Sequence, residues 1–327
     1  MQAVTISRPG PPEVLKIGET DPPGPNTGEV LVRVRAAGVN RADLLQRQGL
    51  YPPPPGIRED IPGLEFAGEV EEPGAEVEGW KAGDRVMGLV SGAGYAQYVA
   101  CPDRLLIPVP SGMTFIQAAA LPEVFITAYD ALFNRLRIRS GESLLIHAAA
   151  SGVGTAAIQL ARSEGVRVFG TASSKSKLDA LSELGLDLPI NYREQSFREE
   201  VLKATRGKGV TAILDLVGAS HFAPNLDCLA ELGRMVVVGL LGGRKAEIDL
   251  SVLLRKRLTI IGTVLRSRTL EEKARLVAGF KAHVAPLLDS GAIRPVVDRV
   301  FPLSLADQAH AYLESNRNTG KIVLEVG

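Results

Sequence analysis

Leu144-Leu145-Ile146-His147-Ala148-Ala149-Ala150-Ser151-Gly152-Val153-Gly154-Thr155 passes from an apolar run through a turn of small residues into a helical pattern. It reads as a strand, a tight turn and the start of a helix. Small residues there let backbone N–H groups approach a pyrophosphate at the positive end of the helix. The strict G-x-G-x-x-G spacing is absent, so taken alone the stretch also fits a tight turn in any doubly wound sheet.

The residues that follow favour the nucleotide reading. Helices are expected over Val153–Ser163, Ser176–Leu184, Ser196–Thr205 and Phe222–Leu229. They alternate with strands Arg167–Thr171, Leu188–Ile190, Ala212–Asp215, Arg234–Gly239 and Leu258–Leu265. With Ser143–His147 this makes six strands and implies a doubly wound parallel sheet over 123–265. Runs such as Met235-Val236-Val237-Val238 suit strands covered on both faces. A site for NAD usually carries an acid about 20 residues beyond the turn, on the ribose hydroxyls. Here the stretch is Thr171-Ala172-Ser173-Ser174-Lys175-Ser176-Lys177, with hydroxyls and two lysines but no acid. That pattern suits a 2′-phosphate and points to NADPH.

Outside this block the texture differs. Residues 1–122 read as short strands, Val30–Val34, Glu65–Val70, Arg85–Leu89 and Ala96–Val99, with one helical stretch near Ala42–Gln48. This is a β-rich, barrel-like region. Tyr51-Pro52-Pro53-Pro54-Pro55-Gly56 is a stiff extended loop. Residues 266–327 read as helix Leu270–Asp289, strand Val296–Phe301, helix Leu305–Ser315 and strand Lys321–Val326.

The chain has 327 residues, enough for about two domains. Lys plus Arg is 37 and Asp plus Glu is 37, so there is no global attraction for nucleic acid or anionic lipid. Cys101 and Cys228 form no C-x-x-C pair, which excludes a cysteine-built structural zinc site and points to a reducing compartment. The first residues lack a secretory pattern, and no apolar run approaches the ~18 residues of a membrane span. A cytoplasmic, soluble protein is expected. The four histidines, 147, 221, 283 and 310, are scattered without metal-ligand spacing. His147 ends the first strand and reads as a core residue.

Several stretches together carry a family resemblance: Gly38-Val39-Asn40-Arg41-Ala42-Asp43, Gly63-Leu64-Glu65-Phe66-Ala67-Gly68, Gly83-Asp84-Arg85-Val86, Leu121-Pro122 before Thr127-Ala128-Tyr129, and Thr319-Gly320-Lys321-Ile322-Val323-Leu324. Across its whole length the chain resembles the medium-chain dehydrogenase/reductases, in particular the zinc-independent NADPH:quinone oxidoreductases of the zeta-crystallin group. Asn40–Leu44, Gln46–Gly49, Tyr51, Ser151–Gly154 and Leu265–Arg268 are most similar to the tumour-suppressor-inducible quinone oxidoreductase branch.

The resemblance implies an α/β protein with two domains. A GroES-like β-barrel would be built from 1–122 and 266–327, with a Rossmann doubly wound parallel sheet, 123–265, inserted. It also implies a cofactor site. Asn40 and Thr127 would lie near the nicotinamide and its ribose, and Ser151, Gly152, Val153 and Gly154 would hold the pyrophosphate. Ser174, Lys177, Tyr192 and Arg317 would surround the 2′-phosphate. Gly239, Leu240, Val264, Leu265 and Arg266 would line the nicotinamide side. Zinc-dependent relatives place His where Leu64 stands and Cys near Asn40, so no metal site is expected.

A quinone accepts hydride readily and its oxygen can be protonated by solvent, so no metal or triad is compulsory. Tyr51, Asn40 and Ser151 are the candidate catalytic residues, with Tyr51 placed to hydrogen-bond a substrate oxygen or simply packed at a loop tip. The same fold also hosts alkenal, enone and enoyl-thioester reductases. A reading of another class is a crystallin-like or nucleic-acid-binding protein without turnover, which the balanced charge argues against. The expected partners are a small quinone or conjugated carbonyl and a second copy of the chain, not a membrane or nucleic acid. The apolar stretch Leu258–Leu265, placed at a sheet edge, is the expected homodimer seam.

Overall fold

The computed structural model describes all 327 residues. The first part of the chain forms strands β1 (Gln2–Ile6), β2 (Leu15–Glu19) and β3 (Glu29–Val39), helix α1 (Arg41–Arg47), and strands β4 (Glu65–Pro73), β5 (Arg85–Leu89), β6 (Tyr98–Pro102) and β7 (Leu106–Pro108). Two helices follow, α2 (Phe115–Ala118) and α3 (Pro122–Tyr129), the latter running on as a π-helical turn over Asp130–Arg135.

The middle alternates β8 (Ser143–Ile146), α4 (Gly152–Ser163), β9 (Arg167–Ala172), α5 (Lys175–Glu183), β10 (Leu188–Asn191), α6 (Phe197–Ala204), β11 (Val210–Asp215), α7 (Ala219–Cys228) and β12 (Leu229–Val237). Then come α8 (Leu250–Lys256) and β13 (Thr259–Gly262). The last part holds α9 (Leu270–His283), α10 (Ala285–Asp289), β14 (Val297–Pro302), α11 (Ala306–Glu314) and β15 (Lys321–Glu325).

The chain divides into two compact units, Met1–Ile126 with Leu265–Gly327, and Thr127–Val264. The first unit carries a seven-stranded sheet of order β14-β15-β3-β4-β5-β7, with β6 also pairing β3. Its neighbours are antiparallel except β14 and β15, which are parallel. Val30, Val32, Val34 and Ala36, alternate residues of β3, are buried, as expected for a strand with one face on a core. β1 and β2 pair as a separate two-stranded sheet, and β15 is an interior strand of the sheet that β3 begins.

The second unit is a six-stranded parallel sheet of order β10-β9-β8-β11-β12-β13. In unit-internal numbering this is 3-2-1-4-5-6, and the order reverses between β8 and β11. Leu144, Leu145, Ile146, Ile213, Leu214, Met235 and Val236 are buried, because helices cover both faces.

Four expectations need correction. Leu258–Leu265 is not one strand: only Thr259–Gly262 pairs, and the chain leaves the sheet where the Thr263 hydroxyl bonds Asp130 at 2.9 Å. Leu270–Asp289 is two helices, broken at Val284, because Pro286 has no N–H to continue the ladder. Ala96–Val99 shifts to β6, whose pairing with β3 runs over Tyr98–Pro102. The helical piece α2 lies where only barrel texture was expected. Thr114 and Gln117 cap α2 reciprocally, a capping box legible in Thr-Phe-Ile-Gln.

Each unit buries a neutral histidine. His147 follows β8, with Nε2 2.7 Å from Asn225 Oδ1 and Nδ1 3.1 Å from the Thr171 hydroxyl, edge-on to His221 and Phe197. In the other unit, His310 lies 3.3 Å from the Tyr95 hydroxyl and 3.4 Å from Arg47. Burial pushes both down to about 3, with His221 and Arg47 as the respective secondary causes. The unfolded chain therefore takes up protons near pH 6.5 that the folded protein refuses. Stability should be full above that value and fall by about 1.4 kcal/mol per histidine for each pH unit lost below it. The raised carboxyls of Asp43 and Glu123 contribute with the opposite sign over this window, so the histidine share is read as a difference: between pH 6.5 and pH 5.5 in urea, His310→Gln should lose about 1 kcal/mol less than the unmodified protein.

Candidate functional site

In the parallel-sheet unit the strand ends form a cradle. Ala148 is held at φ +48°, in the left-handed region, at the start of the turn after β8. The turn closes through Ser151 N–H to Ala148 O at 2.9 Å, while Ala149 N–H donates to Thr171 O at 3.0 Å. Ser151 then caps α4, its hydroxyl accepting the Gly154 N–H at 3.1 Å. Gly154 is required by packing: a Cβ there would lie 2.4 Å from Ala149 O. The N–H groups of Gly152 and Val153 have no protein partner, and both residues are partly exposed. Two free amides at a helix N-terminus are a fit for a pyrophosphate.

Neighbouring strand ends add to the cradle. Ser174 caps α5, accepting the Lys177 N–H at 3.4 Å, and Lys177 is partly exposed beside it. Tyr192 follows β10, 47% exposed, with its N–H on Ala172 O at the end of β9. Ser174, Lys177 and Tyr192 are thus brought to one end of two adjacent strands, with no acid among them. Lys175 is turned to solvent and pairs with Asp179.

At the end of β11 the buried Asp215 accepts the Val217 and Gly218 N–H groups at 2.8 and 3.0 Å. Gly239 lies so close that a Cβ would meet Leu216 O at 2.6 Å, and Leu240 is half exposed. Thr127, in α3, is partly buried, and Val264 is 47% exposed.

The barrel unit holds a different construction, a buried polar network. Glu65, at the start of β4, has no exposure. Its Oε1 accepts Asn40 Nδ2 at 2.8 Å and Lys321 Nζ at 2.7 Å, and its Oε2 accepts the Glu123 N–H at 2.7 Å. Lys321 Nζ also donates to Asn40 Oδ1 at 2.6 Å and Val39 O at 2.8 Å. The side-chain amide of Asn40 is therefore committed to this node. Asp43, in α1, accepts the Asn40 N–H, the Gly63 N–H and the Tyr95 hydroxyl. Burial pushes its carboxyl up to about 6 despite these donors.

Beside the node lies the Tyr51 loop. Arg266 is buried and crosses the Tyr51 ring at 5.2 Å. It donates to Tyr51 O at 3.0 Å, Ser91 O at 2.9 Å and Gln46 Oε1 at 2.6 Å. Arg266 thus anchors the Tyr51 loop, and Leu265 belongs to the same unit. Burial raises the Tyr51 phenol, so it stays protonated at neutral pH and can donate. Arg317 also lies in this unit, over the Tyr312 ring with Nε on Ser315 Oγ.

The sequence reading gave no role to Glu65, Asp43, Lys321, Tyr95 or Glu123. The signal available was charged residues inside apolar strands, Glu65 before Phe-Ala-Gly and Lys321 before Ile-Val-Leu. The structure brings together no group of three or more His, Cys, Asp or Glu that could hold a metal ion, and Leu64 is buried.

Comparison with known proteins agrees with both units. Residues 26–111 match the alcohol dehydrogenase GroES-like domain, and residues 152–279 match the zinc-binding dehydrogenase family. The mouse quinone oxidoreductase is 34% identical over 99% of this chain and 97% of its own. The chain belongs to the medium-chain dehydrogenase/reductase family. A second branch of this oxidoreductase family is also similar: the human synaptic vesicle membrane protein VAT-1 homolog is 38% identical over 94% of this chain and 81% of its own.

Among solved structures, an NAD-dependent alcohol dehydrogenase aligns with TM-score 0.90 and 32% identity, covering all of both chains. The Escherichia coli quinone oxidoreductase complexed with NADPH aligns with TM-score 0.90 and 31% identity over 99% of this chain and 100% of that one. The CurK enoyl reductase aligns with TM-score 0.89 and 28% identity over 100% and 99%. A doubly wound unit joined to a GroES-like unit is therefore the family architecture here, and no helix is long and apolar enough to cross a membrane.

Breaking the buried node should be costly for this dehydrogenase/reductase. Lys321→Met leaves Glu65 charged without its cation and should destabilise the barrel unit by about 3–5 kcal/mol. Adding Glu65→Gln should recover part of that loss in guanidinium unfolding, because the unpaired buried charge is gone.

Proposed function

We propose that this protein reduces quinones with NADPH by hydride transfer and without zinc. The observation that carries the reading is the acid-free end of β9, where Ser174, Lys177 and Tyr192 stand together. An acid there would repel a 2′-phosphate, whereas a hydroxyl, an ammonium and a phenol can bind it. The unpartnered Gly152 and Val153 amides would hold the pyrophosphate, with Ser151 fixing the helix end. Gly239, Leu240, Val264 and Thr127 would contact the nicotinamide half.

When bound, the cofactor supplies a hydride. The chain supplies orientation and exclusion of water. Tyr51, protonated and braced by Arg266, would donate a hydrogen bond to a substrate oxygen. Asn40 would act through position only, since its amide is bonded to Glu65 and Lys321. Leu64 supports the metal-free reading, because a leucine cannot ligate zinc. The domain division at 122/123 and 265/266, a cytoplasmic setting and the tumour-suppressor-inducible branch belong to the same proposal. An enone or enoyl thioester is the alternative acceptor, favoured by the similarity to an enoyl reductase.

NADPH should bind at least tenfold tighter than NADH, about 1.4 kcal/mol. Lys177→Ala should erode that preference and leave NADH binding nearly unchanged. Titration of cofactor fluorescence measures both, and equal affinities in the unmodified protein would sink the reading. Quinone turnover in the same preparation should survive exhaustive chelation.

We also propose a homodimer. The outer edge of β13 is unpaired, and Leu240, Leu241, Leu250, Leu254 and Val264 are exposed apolar side chains of the same unit. An uncovered apolar edge is a liability that pairing with a second copy removes. Light scattering should give twice 34.8 kDa. Ile261→Pro, which removes a backbone donor from the middle of the strand, should give the monomer.

A further inference from the structure

Glu123 stands in the first turn of α3 with a carboxyl that makes no hydrogen bond, although its N–H is tied to Glu65. Charged groups on four elements act on it. Glu65 of β4 and Asp43 of α1 push against its anion, and Lys321 of β15 and Lys273 of α9 attract it. Lys273 is itself buried, with Nζ on Ser91 Oγ at 2.6 Å and on Arg266 O at 2.7 Å. Through that pair the carboxyl lies within electrostatic reach of Arg266 and of the Tyr51 phenol. The residue remains partly exposed, so its proton can exchange with water.

From this cluster we propose that Glu123 is the proton donor of the reduction. The assignment rests on the quinone reading above and adds the acid that reading left to solvent. Enclosure and the Glu65 carboxylate push Glu123 up to about 8, so it carries its proton at neutral pH. A general acid works best with such a value. The step balances. The reduced nicotinamide gives up a hydride, one hydrogen with two electrons, and becomes oxidised. The quinone takes the hydride and is left with one anionic oxygen. The carboxyl O–H of Glu123 breaks and a new O–H forms at that oxygen, giving the hydroquinone. The Glu123 carboxylate regains a proton from water. With an enone, the same proton would go to the carbon next to the carbonyl.

The experiment has two readouts. Infrared spectroscopy of the unliganded protein should show a protonated-carboxyl band that fades between pH 7 and pH 9 and is missing in Glu123→Gln. Quinone reduction with NADPH should show kcat/KM falling roughly tenfold per pH unit above about pH 8. Glu123→Gln should be at least tenfold slower at pH 7 and flat across that range, and Glu123→Asp should regain a falling limb. Lack of the infrared band, or an alkaline limb that survives in Glu123→Gln, overturns the role of Glu123 and leaves the quinone reading standing. Turnover of an enone but no quinone overturns the quinone reading, with the same limb then judging Glu123. Turnover of neither overturns both.

Discussion

The barrel unit depends on one buried ion pair, Lys321 with Glu65. The lysine lies 281 residues beyond Asn40, yet all three side chains meet, buried, with the Glu123 N–H. Taking both charges out of water is costly, and only complete satisfaction of their donors and acceptors offsets it. Satisfaction is nearly complete here: three donors reach the carboxylate, and three acceptors take the ammonium. The consequence is topological. β15 must lie between β14 and β3, so the last strand of the chain finishes a sheet that the N-terminal part begins. The parallel-sheet unit is an insertion into that unfinished barrel.

The same node sets the electrostatics around it. A fixed anion that is fully occupied by donors cannot also stabilise the carboxyls beside it. Glu123 feels burial and the Glu65 charge together, Asp43 feels burial against its three donors, and both are held above the usual carboxylate range. Arg266 and Lys273 balance the cluster, and their own burial lowers their affinity for protons. Tyr51 rests on Arg266, so the loop that carries it is fixed through both ring and backbone. A stiff proline segment beside that anchor keeps the phenol from relaxing away.

The parallel-sheet unit was legible in the sequence because its signals are local. Runs such as Met235–Val238 can only be strands covered on both faces, and alternation with helices fixes parallel pairing. The two units and their family were legible from motifs spread along the chain. The barrel's internal order was not. β3 runs for eleven residues: Arg33 and Arg35 keep the alternation on its outer face, pairing with Glu71 and Glu69, but Ala36-Ala37-Gly38-Val39 is buried throughout and shows no alternation. The short α2 is marked only by its Thr-x-x-Gln box, a weak signal next to barrel texture. Nothing local says that Lys321 meets Glu65, because that contact is made only after the whole barrel closes. For the same reason the polar partners of Asn40 and Arg266 inside this unit were not legible.

The turn after β8 shows how a motif can depart from its pattern and keep its physics. In G-x-G-x-x-G the glycines serve a tight turn, close backbone approach and helix packing. Here Ala148 takes the tight turn in the left-handed region, a conformation that costs a residue with a Cβ about 1 kcal/mol or more. The cost is carried by the Ser151–Ala148 and Ala149–Thr171 hydrogen bonds on either side of it. Gly154 alone keeps the packing role, since only hydrogen fits against Ala149 O. Ser151 uses its hydroxyl as the helix cap, so what it presents outward is the ordered helix end. The two amides that remain unpaired, Gly152 and Val153, are the groups such a turn exists to expose, and they are fixed in direction by a cap and a strained residue instead of by a run of glycines.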